Sequence, residues 1–264
     1  MAVDYTVPAI DRAVRLLEIL SLSPRGMSLA RLAEELDVPK STLFRILYTL
    51  QEHAVVVEDR ERKLFSLGMK ALEWGHAALS KIDLKTIAHP NLQKLAHETR
   101  ESFYLAVLDE GVVVLIDHVD TPEVWKMVTR LGTRSPVHCT ATGLILIAEL
   151  ENSQVEAIIA RNPLKKFAPT TITTPAKLKK RLKQVSRDGY SIVDGEYKAD
   201  LCAIAVPIRD HTGTIIASLM TAIYSAHYRK NKKYGLELVE ALEREASAIS
   251  NRLGYNEGSP RQAV

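Results

Sequence analysis

Along the first fifty residues the apolar positions recur with the spacing of helices. In "PAIDRAVRLLEILS" Ile10, Ala13, Val14, Leu17 and Leu20 share one face. Further on, Leu29, Leu32, Ala33 and Leu36 stand at i, i+3, i+4 and i+7 behind Ser28, a residue suited to capping a helix start. After "DVPK", where Pro39 suits a first helical turn, Leu43, Ile46, Leu47 and Leu50 repeat that spacing. Three short amphipathic helices are predicted, enough to close a small core.

Beyond residue 54 the period changes. "AVVVEDRERKLFSLG" reads as two β-rich runs, Val55 to Val57 and Leu64 to Leu67, joined by a charged tip holding Arg60, Arg62 and Lys63. Helical spacing returns in "GMKALEWGHAALS", with Met69, Leu72, Ala77 and Leu79 available for packing, and in "TIAHPNLQKLAHET", which Pro90 kinks or restarts. "FYLAVLD" and "VVVLIDHV" then read as strands around Asp109-Glu110-Gly111, a hairpin signal, with "EVWKMVT" as a third strand. Helices are predicted at 141–150, 152–160 and 175–187. Two more strands, "CAIAVPIRD" and "TIIASLMTAIY", meet across His211-Thr212-Gly213, and a long helix, "GLELVEALEREASAISNRLG", follows. Strands and helices in segregated runs argue for an α+β domain behind a helical one.

The third helix carries the first candidate chemistry. Opposite its apolar stripe lie Ser41, Arg45 and Tyr48, flanked by Phe44 and, near the N-terminus, by Thr42 and Lys40. A face that only had to be wet would usually hold Glu and Lys, yet no acid occurs from Lys40 to Leu50 and two aromatic rings are exposed among donors. A short acid-free helix with donors at its N-terminal end, preceded by a packed helix and a tight turn, fits the major groove of DNA. Three helices followed by a basic-tipped hairpin make a winged helix-turn-helix, whose wing reaches phosphate or minor groove. Plain solvation of the helix face is the rival reading. For the wing it is an ordinary surface hairpin, which Asp59 and Glu61 keep open.

Global charge adds little. The net charge is +3, and residues 1 to 75 hold ten Lys or Arg against eleven Asp or Glu, so DNA binding must rest on local placement. The most cationic run, "KLKKRLKQVSR" at 177–187, has Leu178, Leu182 and Val185 at amphipathic spacing and no interleaved aromatics, and is read as a solvated face. At 46% hydrophobic and 25% charged the composition is that of an ordinary globular chain. The opening "MAVDYTVPAIDRAVRLL" lacks the pattern of a signal peptide, and runs such as "VVVLI" and "LILIA" are too short to cross a bilayer, so a cytoplasmic location and no membrane partner are expected. Cys139 and Cys202 form no close pair, so neither a disulfide nor a redox motif is invoked.

The segment "LAEELDVPKSTLFRILYTL" resembles the DNA-binding half of the IclR family of bacterial transcription regulators. "SPVHCTATG" at 135–143 and "CAIAVPIRDHTG" at 202–213 resemble the two signature segments of that family's ligand-binding half, in the expected order. The likeness covers nearly the whole chain. It implies a winged helix-turn-helix domain at 1–68, a linker helix at 69–83 that contributes to dimerisation, a GAF-like or PAS-like effector-binding and oligomerisation domain at 84–256, and a flexible tail at 257–264. The expected function is an effector-controlled repressor or activator of a catabolic operon. Carried onto this sequence, the family's effector positions are Ala141, Thr142, Asp194, Cys202 or Ala203, Met220 and Ala222, with Met127 as a further wall. The chain departs from the pattern at Leu144, where Lys is common, and at Asp200 and Ala54, where Gly is usual.

Expected partners are a double-stranded, pseudo-palindromic operator, a small carboxylate effector, and a second copy of the chain in a homodimer or a dimer of dimers. Thr140 and Thr142 sit where they can cap the helix after "HC", offering N–H donors and hydroxyls to one carboxylate. The remaining positions are apolar. An aromatic or apolar carboxylate is favoured, with a sugar acid as the alternative should Asp194 satisfy its hydroxyls. On the DNA side Arg45 is assigned to a base edge, Lys40 and Arg62 to phosphates, and Tyr48 or Phe44 to a thymine methyl.

An enzyme is the rival class. No GxSxG, HExxH, GxxxxGK or GxGxxG occurs. His138 beside Cys139 leaves a thiol-based or metal-dependent enzyme as the alternative, but adjacent side chains usually diverge. No catalytic residue, cofactor or metal is expected.

Overall fold

The computed structural model describes residues 6–23, 25–80, 83–121 and 129–255, with side chains given for all of these except 76–80 and 83. The chain divides into two compact units, residues 1–81 and 82–264.

The first unit opens with α1 (Pro8–Ser21), α2 (Leu29–Leu36) and α3 (Lys40–Glu52). Ser28 caps α2, its hydroxyl accepting from the Arg31 N–H. The turn into α3 is made by Asp37 in the left-handed region (φ 51°), with the Val38 N–H closing back on the Ala33 carbonyl. Pro39 stands at the N-cap of α3, one position ahead of the helical turn expected for it. Leu16 and Leu20 of α1, Leu32, Ala33 and Leu36 of α2, and Leu43 and Leu47 of α3 form the core with Met27, Val56 and Phe65. One expectation fails: Ile10 and Val14 are exposed, at 62% and 50%, and Leu16 takes the inward place. The apolar stripe of α1 is longer than the core that α2 and α3 can offer it.

The wing is a two-stranded sheet, β1 (Val56–Asp59) paired antiparallel with β2 (Leu64–Leu67). Met27 bridges to Phe65 by two backbone hydrogen bonds of 2.8 Å, stapling the segment before α2 to the wing. Gly26 is required there: at φ 73° a Cβ would lie 2.7 Å from the Phe65 carbonyl oxygen. Next comes α4 (Met69–Ser80), on which Met69, Leu72 and Trp74 are exposed.

The second unit begins with α5 (Asp83–Thr99), which carries Pro90 within it. Its strands are β3 (Phe103–Asp109), β4 (Val112–Val119), β5 (Arg134–Ser135), β6 (Ser191–Asp194), β7 (Leu201–Arg209) and β8 (Ile215–Tyr224). They form one sheet in the order β5-β4-β3-β8-β7-β6, every pair antiparallel. Glu110 and Gly111, both at positive φ, make the two-residue loop between β3 and β4. The expected strand at 123–129 and Met127 within it lie outside the described residues, as does the tail at 257–264.

Between β5 and β6 come α6 (Ala141–Ile147), α7 (Asn152–Arg161) and α8 (Pro175–Asp188). Leu144 and Ile147 of α6, Val155 of α7 and Leu178, Leu182 and Val185 of α8 form one core with Tyr104, Ala106, Val193 and Ala205 of the sheet. Alternation along the strands turns Leu105, Ile204 and Leu219 to the other face. There α5 packs on β3 and β4, and α10 (Lys232–Arg252) on β7 and β8, after the short α9 (Ser225–Lys230). A buried carboxylate ties α5 to α10: Glu245 accepts from Asn91 at 2.8 Å, from Lys94 at 2.7 Å and from Arg244 at 3.0 Å. Burial alone would raise its pKa, but these three donors outweigh that and hold it below the ordinary range. At the outer strand the Arg181 guanidinium donates to the Ile192 carbonyl.

Candidate DNA-reading face and ligand site

On α3 the buried Leu43 and Leu47 set the rotation of the helix, so Lys40, Ser41, Phe44, Arg45 and Tyr48 all come out exposed and Thr42 half-buried. Phe44 and Tyr48 are 56% and 57% exposed, costly for rings on a helix with no second role. Among the described residues neither Lys40 nor Arg45 has an ion-pair partner, leaving both cations available to a ligand. On the wing, Asp59 accepts from the Glu61 and Arg62 N–H groups at 3.1 Å each and lies 3.8 Å from the Arg62 guanidinium, so the tip is shaped by an acid beside its cations. Arg60 is exposed on the same tip. The loop into the wing passes through Ala54 at φ 55°, a conformation the usual Gly would adopt without strain.

In the second unit the segment at 135–143 forms a tight turn into α6. Thr140 is the N-cap: its hydroxyl donates to the Pro136 carbonyl at 2.7 Å and accepts from the Gly143 N–H at 3.2 Å. A Cβ on Gly143 would fall 2.3 Å from Val137 Cα, so only glycine lets this turn close. Thr142 does not cap. It lies within the first turn, 2% exposed, its hydroxyl without a partner among the described residues. The N–H groups of Ala141 and Thr142 have no intrahelical acceptor. Leu144, where the family often has Lys, is fully buried in the core.

The structure brings together Ala141, Thr142, Ala203, Met220 and Ala222. Ala203 pairs with Ala222 and Ala205 with Met220, which sets all four on the sheet face that carries α6. Cys202 and Asp194 are not among them. They pair with each other one register position away, so both side chains turn to the opposite face, where Arg229 of α9 donates to Asp194 at 2.7 and 3.2 Å. Burial works against the Asp194 carboxylate, yet the Arg229 bonds win and lower its pKa.

His138 and Cys139 do not form a nucleophile and base. His138 Nε2 pairs with the Lys165 carbonyl at 2.9 Å, and burial lowers its pKa, keeping the ring neutral. The Cys139 thiol is pushed up to about 12 by burial and then by Glu196, and Cys202 to about 12 by burial and Asp194, so neither is a thiolate at neutral pH. Among the described residues no cluster of three His, Cys, Asp or Glu side chains could hold a metal ion.

Two groups around this turn escape the sequence patterns. Phe167 packs against both His138 and Tyr197, and Thr171 donates to the Glu196 carbonyl while accepting from the Phe167 and Ala168 N–H groups. Only the Thr-Thr pair at 170–171, in a stretch rich in turn formers, hinted at a latch.

A winged helix-turn-helix with an acid-free recognition helix, followed by an α+β unit with a polar turn buried against its sheet, defines a DNA-binding transcription regulator. The family described as bacterial transcriptional regulator IclR C-terminal matches residues 76–251, and the IclR helix-turn-helix domain matches residues 9–60. This chain belongs to the IclR family, and its relatives are regulators, not enzymes. It is 30% identical over 252 residues to the HTH-type transcriptional regulator KdgR of Dickeya chrysanthemi, covering 96% of this chain and 82% of that one. The Thermotoga maritima IclR crystal structure is similar at a TM-score of 0.77 and 27% identity, covering 94% of this chain and 99% of that one. An IclR homologue from Microbacterium hydrocarbonoxydans complexed with 4-hydroxybenzoate is similar at 0.79 and 26%, covering 93% and 98%. Among the described residues no helix is long and apolar enough to cross a membrane.

Proposed function

We propose that this IclR-family protein acts in the cytoplasm as a homodimer on a pseudo-palindromic operator of a catabolic operon, and that a small apolar or aromatic carboxylate bound beside α6 controls it. The α3 helix enters the major groove with Arg45 on a base edge and Phe44 or Tyr48 on a thymine methyl, while Lys40, Arg60 and Arg62 meet phosphates. Ser41 and Thr42, at the start of the helix, donate to the backbone or to nearby base edges. A single reading head per chain calls for two-fold pairing on half-sites about one helical turn apart.

The observation that carries the effector reading is the buried, partnerless Thr142 hydroxyl at the start of α6, on a sheet face otherwise made of Ala203, Met220 and Ala222. One polar end and one apolar wall suit an acid with a greasy body. That a relative of the same fold is complexed with 4-hydroxybenzoate supports the reading. A sugar acid would leave several hydroxyls unpaired on this face, since Asp194 turns away from it. Footprinting with analytical ultracentrifugation tests the DNA half; a monomer protecting one asymmetric site would refute it. Calorimetry with hydroxybenzoates and keto-sugar acids tests the other, and tight binding of a sugar acid alone would refute it.

A further inference from the structure

The outer edge of the sheet holds a cavity that neither reading above uses. It measures about 360 Å³ and lies between α8, β6 and α9, with Arg181, Ser191, Glu196 and Tyr228 on its wall. Ligand pockets span roughly 300–1,000 Å³, so this one suits a small molecule. Native proteins leave few buried polar groups unpaired. Among the described residues six buried side-chain atoms have no hydrogen-bond partner, and three of them line this cavity: Arg181 Nε, Ser191 Oγ and Glu196 Oε2. Ser191 is 1% exposed, so its hydroxyl is cut off from bulk water.

These atoms are held in place. Arg181 is locked by its bond to the Ile192 carbonyl, and its guanidinium lies 3.7 Å from Glu196 Oε1. Glu196 is set by Thr170 and Thr171, whose hydroxyls donate to the Gly195 and Glu196 carbonyls at 2.8 and 2.5 Å. The unmet set is therefore one donor-only N–H, one carboxyl oxygen and one hydroxyl that both gives and takes. A ligand hydroxyl answers each of the three. A carboxylate would meet Asp188, Asp194 and Glu196 on the same wall, and an ammonium group offers Arg181 no acceptor. Tyr190 and Tyr228 add rings whose faces are apolar and whose tips are polar.

We propose that this edge cavity is a second small-molecule site, selective for a neutral polyhydroxylated compound such as a free sugar or polyol, and distinct from the acid site beside α6. Asp194 belongs here: it lines the cavity and is turned from the α6 face.

The test is saturation-transfer NMR on the full chain with D-glucose, D-xylose and myo-inositol, alongside 4-hydroxybenzoate and putrescine. Saturable transfer from a neutral probe, weakened roughly tenfold or more by Ser191→Ala and by Glu196→Gln and unaffected by Thr142→Val, supports the site. Gln184→Trp, an exposed rim position, blocks the cavity without touching the core and should abolish the same signal even if a buried variant fails to fold. No saturable neutral probe, meaning water alone fills the cavity, overturns the proposal. So does binding indifferent to Gln184→Trp, or a signal there from putrescine or 4-hydroxybenzoate only. A polyol signal without any response to the aromatic acid sinks the effector reading and leaves this one standing.

Discussion

Ala54 and Gly68 meet at the base of the wing: a Cβ on Gly68 would lie 2.1 Å from the Ala54 carbonyl oxygen, while Ala54 itself sits at φ 55°. Gly68 also donates its N–H to the Val55 carbonyl at 2.8 Å. The left-handed conformation costs an alanine about 1–2 kcal/mol, of which a glycine would return about 0.4–1 kcal/mol to unfolded-chain entropy. Ala54→Gly should therefore stabilise the first unit by about 0.5–1 kcal/mol, and Gly68→Ala should destabilise it by about 1–3 kcal/mol through overpacking. Urea unfolding followed by circular dichroism reads both, and equal effects of the same sign would contradict this geometry.

On DNA, Arg45→Ala should cost about 1–3 kcal/mol and relax discrimination at one base position. Lys40→Ala should weaken all sequences alike and flatten the dependence of affinity on salt. Gel-shift competition between operator and point-mutated operators separates the two. Unchanged discrimination in Arg45→Ala would mean that α3 docks in another orientation.

Thr142 offers a test in which affinity and stability part company. Its hydroxyl is buried without a partner, so Thr142→Val, which keeps the shape, removes no internal hydrogen bond and should leave Tm unchanged or slightly raised. Binding of a carboxylate effector should fall roughly tenfold. Met220→Ser should weaken an aromatic acid by making the wall polar. Calorimetry beside thermal melts decides; a lower Tm with unaltered affinity would assign the residue to structure alone.

Glu245 predicts a pH dependence. Its native pKa is held below the ordinary carboxyl value of about 4.3, so its stabilising effect is complete above that pH and fades as pH falls through the lower native value. Glu245→Gln should cost about 1–3 kcal/mol at neutral pH, and the gap to wild type should close in acid. Denaturant titrations at stepped pH measure this. A gap that stayed constant into acid would show that packing, not charge, is what the substitution removes.

Much of the fold is legible because periodicity and turn chemistry are local. The α2 cap at Ser28, the stripe of α3 and the Glu110-Gly111 hairpin each follow from a few adjacent residues. What escaped is what depends on distant partners or on few residues. Periodicity aligned Ile10 and Val14 with Leu20 but could not say how much core α2 and α3 would offer them. The strands β5 and β6 hold two and four residues, too few for alternation to stand out. Cys202 and Ala203 were left as alternatives since neighbours on a strand face opposite ways, and only the register with β8 chooses between them. The edge cavity joins residues of α8, β6 and α9 that no local pattern relates.

The Arg181 bond to the Ile192 carbonyl has a consequence for how the protein keeps company with itself. A bare outer strand is a template on which another chain can lay a strand of its own. Here one edge is occupied by a guanidinium from α8, and the opposite edge, β5, is only two residues long. Neither border of the sheet offers a continuous row of backbone groups to a newcomer. Two copies of this unit therefore have to recognise each other by the shape and chemistry of their side chains, a contact that closes at a fixed number of subunits and does not run on into fibres.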